Sequence, residues 1–425
     1  MSNQADRRGS PAVHSCRSVA SPVLPNFSLT KTDIARRQQR AGGSRKENPK
    51  VKLQRKNRLR ALSLGALAVS GALALTACGS DDTSGSGDGG KETNANANIK
   101  CDDAKGQLAA SGSSAQKNAI DAWRKVYTTN CKDVQLNYNP TGSGAGITAF
   151  LQGQTAFAGS DSALKPDEIE KSKKVCKDSQ AIDLPMVGGP IAIGYNVPGV
   201  DKLTLDAKTL ADIFNDKIKT WDDKAIAKLN PDAKLPKTKV QAFHRSDESG
   251  TTDNFTKYLK GAAPSAWPYE PGKSWEPKGG QSANGSAGVA GQVKQTAGAI
   301  SYFELSYAGD GIKTVDLKTE AKEPVKATVD NASEAISEAK VVGKGKDLAL
   351  ELNYKPTAEG AYPITLVTYE VVCEKGNKAE TLAATKSFLT YIASEDGQNV
   401  LKENDYAPIP AEIITKVRST VAGLS

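Results

Sequence analysis

The run His244-Arg245-Ser246-Asp247-Glu248-Ser249-Gly250-Thr251 sets a guanidinium, two carboxylates, three hydroxyls and a glycine within eight residues. It lies where a strand-like run (Val240, Ala242, Phe243) gives way to a helix-like one (Phe255, Tyr258, Leu259). At such a junction free backbone N–H groups and the positive end of a helix dipole converge on one point. Arginine adds a forked donor suited to a tetrahedral anion. The chemistry this predicts is oxyanion binding, with phosphate the foremost candidate. A polar helix cap carrying a surface Arg–Asp pair would account for the same residues.

Three other segments bear on that choice. Ala110–Gln116 precedes a helix whose apolar stripe is Ile120, Trp123 and Tyr127, at helical spacing. Pro140–Gly146, rich in Gly, Ser and Thr, follows the alternating strand Val134, Leu136, Tyr138 and opens another helix. Ala156–Asp161 is an apolar run that ends on a carboxylate. One such loop is most often a turn. Several in one α/β chain point to a ligand, because ligands gather at the carboxyl ends of strands.

On these residues the chain resembles the phosphate-binding proteins of high-affinity phosphate ABC importers, a family of periplasmic-type solute-binding proteins. The matching runs are Ala110–Ala115, Thr141–Gly146, Ala158–Asp161, Pro185–Ile193, Leu205–Leu229, Arg245–Thr251 and Gly298–Tyr302. They span roughly 105–310, with a looser match to the C-terminus. The resemblance implies an α/β, two-lobed periplasmic-binding-protein-like fold of type II, with the ligand in the interlobe cleft. It implies lobe I from 101–190 and 299–425, and lobe II from 191–298. It also implies a phosphate shell of Ser114, Ala115 (through its backbone N–H), Ser143, Asp161, Arg245, Asp247, Ser249, Gly250 and Thr251. Two departures stand out. Ser114 and Ala115 replace the threonine and bulkier residue of many relatives, and Glu248 stands where glycine is common. A third carboxylate near an anion costs affinity unless it points outward.

Charge is unevenly placed. The net +8 of the chain could suggest a nucleic-acid binder. Yet residues 1–77 hold 15 Lys/Arg and 3 Asp/Glu, which leaves 41 basic and 45 acidic residues in the rest. The remainder is mildly acidic, so no general field attracts nucleic acid. Arg55, Lys56, Arg58 and Arg60 precede the apolar run Ala61–Ala77, which ends Leu75-Thr76-Ala77-Cys78. A basic segment, a short apolar stretch and small residues at the cut site read as a secretory signal over 55–77. The ending resembles the bacterial lipobox, which implies a lipidated Cys78. Residues 1–54 are a leader extension of unknown role. Gly79–Asn98 is nearly all Gly, Ser, Asp, Thr, Asn and Ala. It reads as a tether within 78–100, with a mean reach on the order of 25 Å. The location implied is the extracytoplasmic face of the cell membrane. The expected partners are phosphate, the membrane, and the permease and ATPase subunits of an importer.

Cys101, Cys131, Cys176 and Cys373 remain after export and admit three pairings. Cys101 precedes the first strand and Cys131 follows the first helix, which favours Cys101–Cys131 and leaves Cys176–Cys373. No Cys-x-x-Cys pair occurs and His244 is the one histidine beyond the leader, so no metal or cofactor is expected. Asp206 is placed to cap a helix bearing Leu210, Ile213 and Phe214. Ile364–Val372 reads as a β-branched strand and Thr381–Ile392 as a late helix. Residues 309–362 show scattered charges and are expected to be insertion-rich surface. Two other functions compete with phosphate capture: binding of sulfate or molybdate, and phosphoester hydrolysis with Ser249 as nucleophile beside Asp247 and His244. The hydrolase lacks a Gly-x-Ser-x-Gly elbow.

Overall fold

The computed structural model describes residues 99–425 apart from Asp310. The leader, the signal segment, Cys78 and the tether lie outside the described residues.

The first stretch alternates strand and helix: β1 (Gly106–Gly112), α1 (Lys117–Asn130), β2 (Val134–Asn139), α2 (Ser143–Leu151), β3 (Phe157–Ser160), α3 (Pro166–Ser172) and β4 (Ala181–Asn196). The second holds β5 (Thr204–Asp206), α4 (Ala207–Phe214), α5 (Lys224–Leu229), β6 (Gln241–Arg245), α6 (Gly250–Ala262), β7 (Gln281–Ala283), α7 (Gly285–Gln295) and β8 (Ala299–Glu304). The third runs through β9 (Lys313–Thr314), β10 (Asp316–Lys318), α8 (Val329–Ser337), β11 (Lys340–Val341), β12 (Leu350–Glu351), β13 (Thr365–Cys373), α9 (Ala379–Ile392), α10 (Glu395–Lys402) and α11 (Ala411–Ala422).

One mixed sheet threads the molecule in the order β2-β1-β3-β13-β4-β8-β6-β7. Its centre is β4. Residues Ala181–Pro190 pair with β13 and Ile191–Asn196 with β8. The apolar run Pro185–Ile193 is thus a strand buried on both faces, as a continuous rather than alternating pattern requires. Each half of β4 carries its own core. Leu108, Trp123, Tyr127, Phe157, Leu184 and Phe388 lie in one; Ile193, Phe214, Trp221, Phe255, Trp267 and Tyr302 lie in the other. The molecule is two-lobed, with β4 passing from one lobe to the other.

The helices follow the sequence pattern closely. Ile120, Trp123 and Tyr127 of α1 are wholly buried. Asp206 caps α4, its carboxylate accepting the Thr209 N–H at 2.7 Å. The late helix begins two residues before its predicted start; Phe388, Leu389 and Ile392 are buried and Leu382 is half-buried. Disulfides join Cys101 to Cys131 and Cys176 to Cys373.

Two expectations need correction. Residues 309–362 are not surface insertions: Val315, Leu317 and Val325 pack into the second core, and Ala332, Ile336 and Leu350 into the first. Their strands are two or three residues long, too short for a periodic signal. The lobe division placed 299–425 in one unit, yet Ile300, Tyr302, Val315, Leu317 and Val325 pack in the second core. Pairing of β8 with the far half of β4 holds this segment there.

Candidate functional site

In the first lobe β1, β2 and β3 run parallel, so the loops at their carboxyl ends share one edge. In the second, β6 and β7 are parallel neighbours and do the same. The two edges meet. Helices α1, α2, α6 and α7 each start within five residues of such a strand end, and their first-turn N–H groups have no intrahelical acceptor.

Glycine permits the approach. A Cβ on Gly250 would fall 2.6 Å from Asp161 Cβ and 2.8 Å from Ser143 Oγ. One on Gly142, whose φ is 94°, would meet Asp247 Oδ2 at 2.4 Å. One on Gly144 would strike the Glu248 side chain. Backbone from one lobe therefore touches side chains of the other, which residues larger than glycine would prevent.

Arg245 ends β6 and is buried; its side chain is 1% exposed and that of Asp247 7%. Asp247 takes Arg245 Nε at 2.7 Å and a second bond from the guanidinium, a fork-to-fork pair. Gly285 N–H, at the start of α7, donates to the same carboxylate at 3.0 Å. Burial would raise the Asp247 carboxyl, but the Arg245 bonds and charge outweigh it, and the group is held below its ordinary range. The remaining terminal nitrogen of Arg245 reaches Ser286 Oγ at 3.3 Å and Thr251 Oγ1 at 3.4 Å.

Asp161 follows β3 and is buried. Its Oδ1 accepts the Thr368 hydroxyl at 2.8 Å, while Oδ2 has long contacts of 3.4 Å from Ser143 Oγ and Thr251 Oγ1. Burial pushes this carboxyl up; hydrogen bonds from Ser113, Thr368 and Thr251 and the charge of Arg245 act against that rise. Ser143 Oγ, at the start of α2, accepts the Gly250 N–H at 3.1 Å and so joins the lobes. Ser114 Oγ accepts the Ser286 N–H at 2.9 Å.

Most of the nine residues assigned on resemblance come together here, with two qualifications of role. Ser249 Oγ caps α6 by accepting the Thr252 N–H at 3.2 Å, so its hydroxyl holds the helix. The Ala115 N–H donates to Ser113 Oγ at 3.0 Å. Glu248 is exposed, and its carbonyl accepts the Gly144 N–H of α2 at 3.0 Å. The third carboxylate thus belongs to a solvent-exposed residue lying over Gly144, and its backbone ties the two lobes.

Sequence reasoning missed Ser286, Thr368 and Asn254, whose side-chain amide donates to the Asp161 carbonyl at 2.7 Å. The segment Ala283-Asn284-Gly285-Ser286 has the same strand-to-helix character as the other loops, but β7 is a three-residue polar strand. Thr368 sits mid-strand in β13 and carries no local signal. The hydrolase grouping does not form: the His244 ring stacks on Trp275 at 5.0 Å, and Ser249 is engaged as a cap. Among the described residues no cluster of His, Cys, Asp or Glu could hold a metal ion.

Two lobes that close helix N-termini around a small buried polar site define a solute-binding protein. A PBP superfamily domain matches residues 101–396. The chain is 41% identical over 367 residues to phosphate-binding protein PstS 3 of Mycobacterium tuberculosis (strain ATCC 25618 / H37Rv), with 85% of this chain and 98% of that protein covered. It is 32% identical over 305 residues to phosphate-binding protein PstS of Haemophilus influenzae, with 70% and 87% covered. The crystal structure of a phosphate-binding protein from Stenotrophomonas maltophilia shares the fold at 20% identity, with a TM-score of 0.59 and coverage of 75% and 96%. The chain belongs to the PBP superfamily and, within it, to the family of PstS phosphate-binding proteins. That family binds its ligand and does not transform it.

Proposed function

We propose that the protein captures inorganic phosphate outside the cytoplasm and delivers it to an ABC-type import permease. The carrying observation is the buried Arg245–Asp247 pair set among the N-termini of α1, α2, α6 and α7. The cation is matched by its own carboxylate, so an entering anion is held mainly by N–H and O–H dipoles. Ser114, Ala115, Ser143, Asp161, Arg245, Asp247, Gly250 and Thr251 form the shell in this reading, and Ser249 supports it by capping α6. Closure of the lobes gives a permease a shape to read. The expected result with purified protein is saturable, one-to-one phosphate binding by calorimetry and no turnover of phosphoesters. Sulfate or molybdate binding in place of phosphate would overturn the ligand assignment.

Anchoring belongs to the same proposal. Among the described residues no helix is long and apolar enough to cross a membrane. Cleavage before Cys78, with acylation of that cysteine, would hold the protein at the extracytoplasmic face through the 78–100 segment. Two or more acyl chains are expected, since one anchors weakly. Mass spectrometry of the cell-associated protein should find Cys78 as the lipidated first residue, and Cys78→Ser should release the protein or block its processing. An unmodified internal Cys78 would refute the anchor.

A further inference from the structure

Behind the loop that carries Ser113–Ala115 lies a group with no part in the shell above. Glu370 of β13 is wholly buried and stands opposite Gly159 of β3 in the sheet register. Directly paired residues of an antiparallel ladder share a face. On that face a Cβ at Gly159 would fall 1.9 Å from Gln116 Nε2 and 2.5 Å from the Tyr138 hydroxyl. Glu370, Gln116 and Tyr138 therefore cluster on one face over a bare stretch of backbone.

Counting protons fixes the state of this cluster. The Tyr138 hydroxyl has one proton and donates it to the Ser113 carbonyl at 2.8 Å. Toward Gln116, at 3.0 Å, its oxygen must accept, which sets Nε2 against Tyr138 and turns Oε1 away. Gln116 Oε1 and both Glu370 carboxyl oxygens are buried acceptors with no donor among the described residues. A proton on Glu370 supplies the donor that this group of buried acceptors lacks. Leaving a buried acceptor without a donor is costly.

We propose that Glu370 is a neutral carboxylic acid in the working protein, donating its O–H to Gln116 Oε1 and so positioning the anion-binding loop through Gln116, Tyr138 and Ser113. Every link then points one way: Glu370 to Gln116, Gln116 to Tyr138, Tyr138 to the Ser113 carbonyl. Ser113 in turn takes the Ala115 N–H on its hydroxyl. Burial holds the Glu370 carboxyl well above its usual range, and the charge of Asp161 adds to the rise. The titratable groups facing Glu370 are Asp161, beyond β3, and Tyr138, on β2; an anion on either opposes its ionisation, and no cation is among the groups acting on it. A charged Glu370 would place a further carboxylate behind an anion site that already holds Asp161 and Asp247. The neutral acid supplies the donor without that charge.

The assignment rests on the phosphate reading for its function but not for its chemistry, and two measurements separate them. The infrared difference spectrum of parent against Glu370→Gln at pH 7 should show the carbonyl stretch of a protonated carboxylic acid, lost in the variant. A carboxylate band in its place overturns the proposal whether or not phosphate binds. Calorimetry should give Glu370→Gln, a neutral donor of similar shape, a phosphate Kd within about twofold of the parent. The near-isosteric Glu370→Met, which cannot donate, should bind about tenfold more weakly, the loss of one hydrogen bond. Parent-like binding by Glu370→Met, or lost binding by a folded Glu370→Gln, overturns the positioning role. A protonated-acid band in a protein that ignores phosphate would remove the phosphate reading and leave the neutral acid standing.

Discussion

Arg245→Ala is expected to leave a folded protein whose phosphate affinity has fallen by two to three orders of magnitude. The guanidinium is almost fully buried, so its attraction for an anion is weakly screened by water. Truncating one member of a buried, hydrogen-bonded charge pair costs about 2–5 kcal/mol, and each 1.4 kcal/mol is a tenfold change in affinity. The substitution acts twice. It removes the forked donor, and it leaves Asp247 facing the site as an uncompensated anion. Arg245 also bonds Ser286 and Thr251, so those hydroxyls lose their orientation. The fold should persist, because neither side chain of the pair belongs to a hydrophobic core and β6 keeps its ladder to β8. Titration calorimetry reads the affinity and circular dichroism the fold. A folded variant with an affinity within threefold of the parent removes Arg245 from the site.

The parts of this arrangement legible in sequence were those built from one contiguous segment. Arg245 through Thr251 carries its strand end, its ion pair and its helix start together, so residue type and order sufficed. The same holds for Ser143 after the Thr141-Gly142 turn and for Ser114 before α1. Legibility failed wherever a role depends on pairing at a distance. Thr368 reaches Asp161 across 207 positions only because β13 lies beside β3. Glu370, two residues on, reads in sequence as a stray charge in a β-branched strand. Its meaning comes from Gly159 opposite and from Gln116 and Tyr138 on other elements. Residues 309–362 were opaque for a related reason: their strands are too short to show a period of two, and their apolar side chains divide between two cores. Glu248 is the reverse case. Its side chain departs from the family pattern, but its contribution is a backbone carbonyl to Gly144, which any residue could make.

Asp161→Asn is expected to relax discrimination between phosphate and sulfate. Phosphate near neutral pH carries at least one P–OH, and sulfate carries none. In the proposed site Oδ1 of Asp161 is filled by Thr368 at 2.8 Å, whereas the contacts of Oδ2 with Ser143 and Thr251 are long, at 3.4 Å. Oδ2 is thus the oxygen with acceptor capacity to spare, and it lies where α2 and α6 begin. It can take the phosphate O–H; opposite sulfate it would meet a bare oxygen, with charge repulsion and an unfilled buried acceptor. Sites built on one required hydrogen bond reject an analogue lacking it by roughly 10⁴-fold. Asparagine can keep a carbonyl toward Thr368 and turn its N–H₂ to the ligand, which suits sulfate. Competition calorimetry should then find sulfate displacing phosphate at least tenfold more readily in the variant. The direction of the pH effect follows from the same group. Burial raises the Asp161 carboxyl against the bonds and charge that lower it, so it takes up a proton at a higher pH than an ordinary aspartate. Once protonated it donates, and the objection to sulfate disappears. Discrimination by the parent should therefore decline as the pH falls, while that of the Asn variant stays level. If sulfate competes well with the parent at neutral pH, both the role of Asp161 and the phosphate assignment fail.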